Sequence, residues 1–426
     1  MFGHIASGGE FEDLEGASSI DCASDPVAAL KAMFVDLVMG RRISAGQDPA
    51  LRPVFLKLHG VARGTFTIRP DLPEELRVGL FRYDSFPAWI RFSSDTLPSL
   101  PDLRSTVGVG IKLFGVPGLK LLEPETTATT HDFLLQNHDV FFVDTARDMC
   151  EFTYAGVVEG DYGPYLRDHP KTQQILNDMA KVVPSVLKTD YWSVLPYAFG
   201  PDQYAKYKLV SLGAEGVEAV ADVSNGDPYY LHADLWHRLL ESEASFGFFV
   251  QLRTDPEHMP LDEATVRWEE AVSAPIHVAT LTLSQQDIEA RSQAAYGENL
   301  SFTSWHALAE HAPVGSLAEA RKVAYQAAAE LRRDTNGIPV GEPEAPRPLG
   351  SASMPRDQKI IRAAIHPAIG IARVGNSQEE YFIGPEVVDP ATKPPGFYKD
   401  EAGALKRQAA RFRIYGYNAA GEVVAE

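Results

Sequence analysis

The sequence is short of cysteine, of basic residues and of long apolar runs, and each shortage excludes a class of protein. Two cysteines in 426 residues, Cys22 and Cys150, cannot build a disulfide framework, and their spacing fits no zinc or redox motif. We therefore expect a reducing compartment. With 39 Lys and Arg against 58 Asp and Glu, the net charge of −19 excludes a general binder of nucleic acid or anionic membrane. No segment reaches the roughly 18 uncharged apolar residues of a membrane helix, so we expect a cytoplasmic protein without a membrane span.

The rest of the composition is that of a folded enzyme-sized chain, with 45% hydrophobic residues. Asp25 before a proline, apolar residues at helical spacing and Gly40 predict a helix over about 25–41. Short β-like runs follow, among them "FLKLHGVARGTFTI", "AWIRFSS", "VGVGIKLFGV" and "HDFLLQNHDVFFV". Consecutive strands without intervening helices favour an antiparallel sheet or barrel, which the later runs "YAKYKLVSL", "SFGFFVQLRT" and "HVATLTLSQ" would complete.

Four units follow from these patterns. Residues 1–45 form an arm and a helix, and 46–336 form the main α+β domain. The stretch 337–355, "GIPVGEPEAPRPLGSASMP", has the Pro, Gly and Ser content of a linker. Residues 356–426 are again β-like.

Two polar residues stand in strand-like surroundings. His59 interrupts "KLHGVARGTFTI", and Asn137 stands just before the apolar "VFFV". A lone strand histidine is more often structural than catalytic, and an edge asparagine often caps a turn. A buried amide needs a hydrogen-bond partner, so Asn137 has a second interpretation as a donor aimed into a pocket.

The late helix carries the pattern Arg321-x-x-x-Tyr325, whose side chains share one helix face. A guanidinium beside a phenol favours the phenolate, which is a hard ligand suited to ferric iron. Arg332, seven residues after the tyrosine, lies on the same face and can bind an anion such as a propionate. The spacing occurs by chance about once in such a chain, so it carries weight only together with other motifs.

Those motifs exist, and residues 51–334 resemble the haem catalase superfamily, in its smaller catalase-like branch. "KLHGVARGTFTI" resembles the strand of the distal histidine, and "AWIRFSS" the V-R-F-S strand. "LRSTVGVGIKLFG", "QNHDVFFVD" and "RKVAYQAAAELRR" are similar to three further family segments in the same order. The resemblance implies a closed antiparallel eight-stranded β-barrel with peripheral helices.

The resemblance also implies a haem b site. His59 and Asn137 would be the distal catalytic residues, and Tyr325 would ligate the iron. Arg321 would hold the phenolate charge. The remaining haem contacts that the resemblance implies are Ser93 beside the histidine, Phe142 as an apolar wall, and Arg91 and Arg332 at the propionates.

Several positions depart from the family pattern. Leu56 stands where large catalases place a propionate-binding arginine, with Lys57 or Arg63 as substitutes, and Leu58 replaces a small valine. We expect no NADPH, since the chain lacks room for the corresponding region. The implied activity is catalase-type breakdown of hydrogen peroxide or haem peroxidation, in a response to oxidative stress. Isomerisation or dehydration of fatty-acid hydroperoxides, as by an allene oxide synthase, and a non-enzymatic haem module stay open, as does a homo-oligomer.

Residues 359–426 resemble the start of the cysteine tryptophylquinone-dependent amino-acid oxidases, the lysine ε-oxidase and glycine oxidase group. "IIRAAIHPAIGIARVGNSQEEYFIGPEVV" and "GALKRQAARFRIYGYNAAGEVVAE" carry this resemblance. No cysteine follows Cys150, so we expect no quinone cofactor in this chain. Part of a larger fusion with an oxidase, a retained accessory domain, and an extension of the barrel sheet are the alternatives.

Overall fold

A computed structural model describes residues 20–213, 229–290, 293–339 and 341–347, and the backbone of six short strands between residues 362 and 425. The predicted arm at 1–19 lies outside the described residues. The helices are α1 (Pro26–Lys31), α2 (Gly40–Ser44), α3 (Ala146–Val157), α4 (Gly163–Asp168), α5 (Pro170–Met179), α6 (Tyr230–Glu241), α7 (Gln293–Asn299) and α8 (Ser316–Asn336). The strands of the main sheet are β1 (Lys57–Ile68), β2 (Ser85–Ser94), β3 (Val107–Leu113), β4 (His131–Gln136), β5 (Tyr191–Trp192), β6 (Tyr197–Ala198), β7 (Tyr204–Ser211), β8 (Ala244–Leu252) and β9 (Ile276–Leu283).

The main sheet is a closed antiparallel barrel, which confirms the predicted fold. Its strands run in the order β5-β4-β3-β2-β1-β9-β8-β7, and pairing of β5 with β7 closes the ring of eight, with β6 added beside β7. Alternate residues point to opposite faces of a strand. One face of each strand therefore fills the barrel with apolar side chains, such as Ile90, Phe92, Phe133 and Phe248, all at most 1% exposed. The other face of β2, β3 and β4 points away from the barrel core, towards the helices.

The predicted early helix exists, but it is not uniform. The Asp25 side chain accepts a hydrogen bond from the Ala28 amide (3.0 Å) and caps α1. Between α1 and α2 the chain forms a π-helix over Ala32–Met39. Helix α8 ends at Gly337, whose φ of 65° is the left-handed conformation that glycine adopts easily at a helix end. No helix in the described parts of the chain combines the length and apolar character of a membrane span.

The two cysteines correct one sequence-based expectation. Cys22 and Cys150 form a disulfide, with Cα atoms 5.6 Å apart. The two cysteines are 128 residues apart in sequence, whereas zinc and redox motifs join cysteines that are close in sequence. It joins the segment before α1 to α3, and it removes the basis for predicting a reducing compartment.

The predicted linker is partly ordered against the barrel. The side chain of Glu342 is only 2% exposed and forms an ion pair with Lys112 of β3. Thr130 donates a hydrogen bond of 2.7 Å to the same carboxylate. The Pro and Gly content of this stretch gave no sign of such an anchor. Residues 348–355 lie outside the described part.

The carboxyl-terminal strands are short and pair antiparallel. They are β10 (Arg362–Ile365), β11 (Arg373–Val374), β12 (Gly396–Lys399), β13 (Leu405–Gln408), β14 (Ile414–Tyr417) and β15 (Val423–Ala425). They form one sheet in the order β11-β10-β14-β15 and one pair, β12 with β13. This region is β-rich, as the sequence indicates.

Candidate functional site

A cleft lies between helix α8 and the face of β2, β3 and β4 that points away from the barrel core. Small residues on β3, Gly108 and Gly110, form its floor, and Ser93 and Gln136 lie on the neighbouring strands. Tyr325 and Arg321 of α8 form the opposite wall. The lack of a side chain at these two positions lets a large group pack close to the sheet backbone, and in this structure the rings of Phe55 and Phe302 occupy that space.

The cleft consists of two chambers that share several wall residues. We call the first the arginine chamber, of about 880 Å³, because Arg52, Arg91, Arg321 and Arg332 line it. We call the second the apolar chamber, of about 840 Å³, both chambers being partly open to solvent. The apolar chamber is lined chiefly by Leu30, Phe34, Phe141, Phe142, Met149 and Leu317. Tyr325, Arg321, Gln136 and the segment Pro53–Phe55 line both.

Tyr325 and Arg321 occupy this central position because they are four residues apart on one helix face. The guanidinium carbon of Arg321 also lies 5.1 Å from the centre of the Phe141 ring, a cation–π contact that orients it. Both residues line both chambers, so the pair stands at their junction, whereas the helical spacing predicts only their common face.

Three arginines converge on one residue, Glu298, beside the arginine chamber, two of them on its carboxylate and the third on its backbone carbonyl. Arg91 donates to Glu298 through Nε (3.1 Å) and Nη2 (2.9 Å), and Arg52 donates to its other oxygen (2.9 Å). Arg332 donates to the Glu298 carbonyl oxygen. Against the effect of burial, Arg91 and Arg52 lower the pKa of Glu298 to about 2. Burial lowers the pKa of Arg332 to about 10.

The charges in this cluster do not balance. Three guanidinium groups face a single carboxylate, and no acidic residue lies among the described residues that line the arginine chamber. Unpaired buried charge is costly, so the chamber favours a ligand that brings negative charge of its own.

The structure does not bring His59 to the cleft. A β-bulge between Leu58 and Gly60 places Leu58 opposite Ser93, on the cleft face, and Gly60 opposite Phe92, on the core face. His59 is fully buried on the core side, where its Nε2 lies 2.6 Å from the hydroxyl of Ser94. The expected contact was with Ser93. A single extra residue in the strand accounts for the difference, since it changes the face that a side chain occupies.

His59 is also electrostatically unlike a residue of an open site. Its Nδ1 lies 3.9 Å from the Asp102 carboxylate and makes no hydrogen bond within the described structure. Burial, and then the charges of Lys57 and His232, hold the pKa of His59 well below 6.5. The imidazole is therefore neutral at physiological pH.

Asn137 likewise lies outside the cleft. Its side-chain oxygen accepts a hydrogen bond from the Val107 backbone amide (3.1 Å), and its backbone N–H donates to the Val107 carbonyl oxygen (3.0 Å). Asn137 thus fastens the end of β4 to the start of β3. The preceding residue, Gln136, is the amide that lines both chambers.

Of the eight residues expected at the site, six line the chambers. Ser93, Arg91 and Arg332 lie in the arginine chamber and Phe142 in the apolar chamber, while Tyr325 and Arg321 line both. Three residues that the sequence analysis missed belong to the same site: Arg52, Gln136 and Glu298. Arg52 lies four residues before Leu56, and it supplies the guanidinium that neither Lys57 nor Arg63 provides. No local sequence signal distinguishes these three positions.

A second polar cluster, of Glu125, His306 and Glu342, has the residue types of a metal site. The ammonium group of Lys112 lies among the same groups, paired with Glu342 and 2.7 Å from Asp132. The Lys112 ammonium already supplies the positive charge at this position, so we interpret the cluster as a buried ion-pair network.

Two solved structures share the architecture of this chain. The chain is similar to a bacterial catalase with a TM-score of 0.54 and 17% identity, over 75% of this chain and 66% of that one. It is similar to a fungal catalase with a TM-score of 0.53 and 15% identity, over 83% and 75% of the two chains. The fold is that of the catalases. The chain spans just under two thirds of the length of the bacterial catalase.

The carboxyl-terminal region is similar to a different family of proteins. Residues 366–426 match the family model described as L-lysine epsilon oxidase N-terminal. No protein in the curated comparison matches the sequence. The chain thus combines a catalase fold with a stretch that matches the start of an oxidase family, as the two sequence resemblances indicate.

Proposed function

We propose that the protein binds haem in the cleft and uses it on peroxides. Tyr325 would ligate the iron through its phenol oxygen, with Arg321 favouring the phenolate. The observation that carries the proposal is the charge of the arginine chamber. Arg52, Arg91 and Arg332 exceed Glu298 by two positive charges, which two propionate groups would balance. Tyr325 offers an iron ligand, the excess of positive charge matches two propionates, and the two glycines allow a planar group to lie close to the sheet.

Ser93 of β2 and Gln136 of β4 face the cleft opposite Tyr325 as uncharged polar groups. Bound haem would supply the redox chemistry of peroxide cleavage. The Ser93 hydroxyl and the Gln136 amide can each donate a hydrogen bond to a peroxide oxygen, and so orient it. Neither group exchanges a proton readily near pH 7, so general acid–base assistance would be weak. We therefore propose slow turnover of hydrogen peroxide.

The apolar chamber favours a second candidate reaction. It lies beside Tyr325 and is lined by apolar side chains, including Leu30, Phe34, Phe142 and Met149. An organic hydroperoxide could place its apolar part there, and its reduction or isomerisation would then be the main activity. The match of 366–426 to an oxidase model supports the further proposal that the peroxide comes from a neighbouring or fused amino-acid oxidase.

The test is reconstitution of the ligand-free protein with hemin. We expect one equivalent to bind, with the absorption spectrum of high-spin ferric iron carrying an anionic oxygen ligand. Tyr325→Phe should weaken binding by about tenfold or more, equivalent to about 1.4 kcal/mol. Tyr83→Phe, at a tyrosine that is 42% exposed, is the matched control. Equal spectra and affinities in wild type and Tyr325→Phe would refute the assignment. Consumption of hydrogen peroxide against cumene hydroperoxide, with product analysis, then ranks the two reactions.

A further inference from the structure

Phe55 stands between the two chambers. We propose that Phe55 is a gate, which divides the cleft in the ligand-free protein and swings aside so that one large planar ligand can fill both chambers. This inference rests on the proposed function, since haem would be that ligand. It adds a conformational step that neither the fold nor the cleft chemistry requires.

The Phe55 ring lies where a flat ligand on the sheet would lie. It packs directly on the floor of the cleft, since a Cβ added to Gly108 would come within 2.5 Å of the Phe55 Cε1. Its neighbours Pro53 and Val54 border both chambers as well, as do Gln136, Arg321 and Tyr325. A ligand that reached from the arginines to Phe142 would therefore meet the Phe55 ring first.

The backbone of Phe55 is strained. Its φ of 50° is in the left-handed region, which a bulky aromatic residue rarely adopts. Strain of this kind persists only where the surroundings hold it, and it is frequent at ligand sites. Two hydrogen bonds hold it here. The Phe55 amide donates to the Asp95 carboxylate (3.2 Å), and the Phe55 carbonyl accepts from Arg91 Nη2 (3.1 Å).

The contact with Arg91 couples the gate to the ligand. The same Nη2 that donates to the Phe55 carbonyl also donates to Glu298 (2.9 Å), in the cluster proposed to bind the anionic groups of the ligand. A ligand carboxylate that engages Arg91 competes for this donor. Loss of the bond frees the strained residue, so binding favours the open position.

The surroundings permit the movement. Phe55 is only partly buried, and it lies in the segment without helix or strand between α2 and β1. It therefore lacks the dense packing that fixes a core phenylalanine such as Phe92. Phe249 of β8 offers a comparison, because its partly buried ring packs on Gly247 in the same way but lines neither chamber.

The experiment measures hemin association by stopped-flow absorbance with Phe55→Ala, Phe55→Gly and the control Phe249→Ala. Glycine tolerates a positive φ, so Phe55→Gly keeps the native backbone if alanine does not. If the open state is about 10% populated, removing the ring should raise the association rate and apparent affinity about tenfold. Phe249→Ala should stay within about twofold of wild type. Binding of the dye 1-anilinonaphthalene-8-sulfonate to the hemin-free proteins should rise in the Phe55 variants alone.

The outcomes separate this inference from the proposed function. Hemin association rates equal to wild type in both Phe55 variants would overturn the gate, while hemin binding itself would stand. If no variant binds hemin but dye binding rises only when the Phe55 ring is removed, the gate stands and haem is the wrong ligand. If neither hemin nor dye responds, the gate is overturned.

Discussion

Glu298 holds the arginine chamber together in the absence of a ligand. Glu298→Gln would leave the guanidinium groups of Arg52 and Arg91 without a buried carboxylate, so we expect the free energy of unfolding to fall by about 3 kcal/mol or more. Urea denaturation measures this loss. Glu151→Gln, in the exposed pair with Arg147, should change it by less than about 1 kcal/mol. An equal effect of the two substitutions would contradict the role of Glu298.

The same residue gives a pH dependence with a definite sign. The pKa of Glu298 is lowered from 4.5 to about 2, so the carboxylate is better stabilised in the folded protein than in the unfolded chain. Its contribution is complete above pH 4.5 and is lost as the pH falls through 2. In Glu298→Gln this acid-dependent loss should be smaller, and urea titrations between pH 5 and pH 2 would show it.

At the scale of the element, the bulge in β1 decides what His59 can do. We expect His59→Ala to lower the free energy of unfolding by about 1–3 kcal/mol, because it leaves a cavity and removes one of the two buried partners of the Ser94 hydroxyl, the other being the Ser105 hydroxyl. Hemin binding and peroxide consumption should stay within about twofold of wild type, since His59 faces the core. His258→Ala, at an exposed histidine, is the control. Abolished turnover with an unchanged hemin spectrum would show instead that the imidazole reaches the cleft.

The elements that follow regular periods could be predicted, and those that depend on distant contacts could not. The alternation in "AWIRFSS" and "VGVGIKLFG" locates β2 and β3, and the helical spacing brings Tyr325 to Arg321. "VFFV" is as apolar as a strand, yet β4 ends at Gln136, and Phe141 and Phe142 pack in a helical cluster instead. One extra residue in β1 moved His59, because a slip by one position reverses the face. The partners of Cys22 and Glu298 are distant in sequence and leave no local pattern.

On the scale of the whole molecule, the anchor of Glu342 ties the segment after α8 to the barrel. Burial and Lys112 oppose protonation of His306, but Glu342 and Asp132 raise its pKa to about 9. A raised pKa means that the contribution of His306⁺ is complete below pH 6.5 and is lost as the pH rises through 9. We therefore expect residues 341–347 to become accessible to protease above about pH 9, whereas at pH 7 they should be protected.

Substitution separates the anchor from a general effect of alkali. Glu342→Gln should expose the segment to limited proteolysis already at pH 7, since the ion pair with Lys112 and the carboxylate–histidine contact are lost. Glu344→Gln is the matched control, because that side chain is exposed in the same segment. Equal cleavage of both variants at pH 7 would contradict the anchor.

The anchor of Glu342 limits the distance between the barrel and the carboxyl-terminal region. Between residue 347, still attached to the barrel, and residue 366, where the oxidase-related match begins, the chain can span at most about 65 Å, however it is arranged. Within a sphere of that radius, the local concentration of the oxidase-related region around the barrel is on the order of 1 mM. Contacts between the two parts would therefore form at that local concentration whatever the concentration of the protein, so dilution would not weaken them.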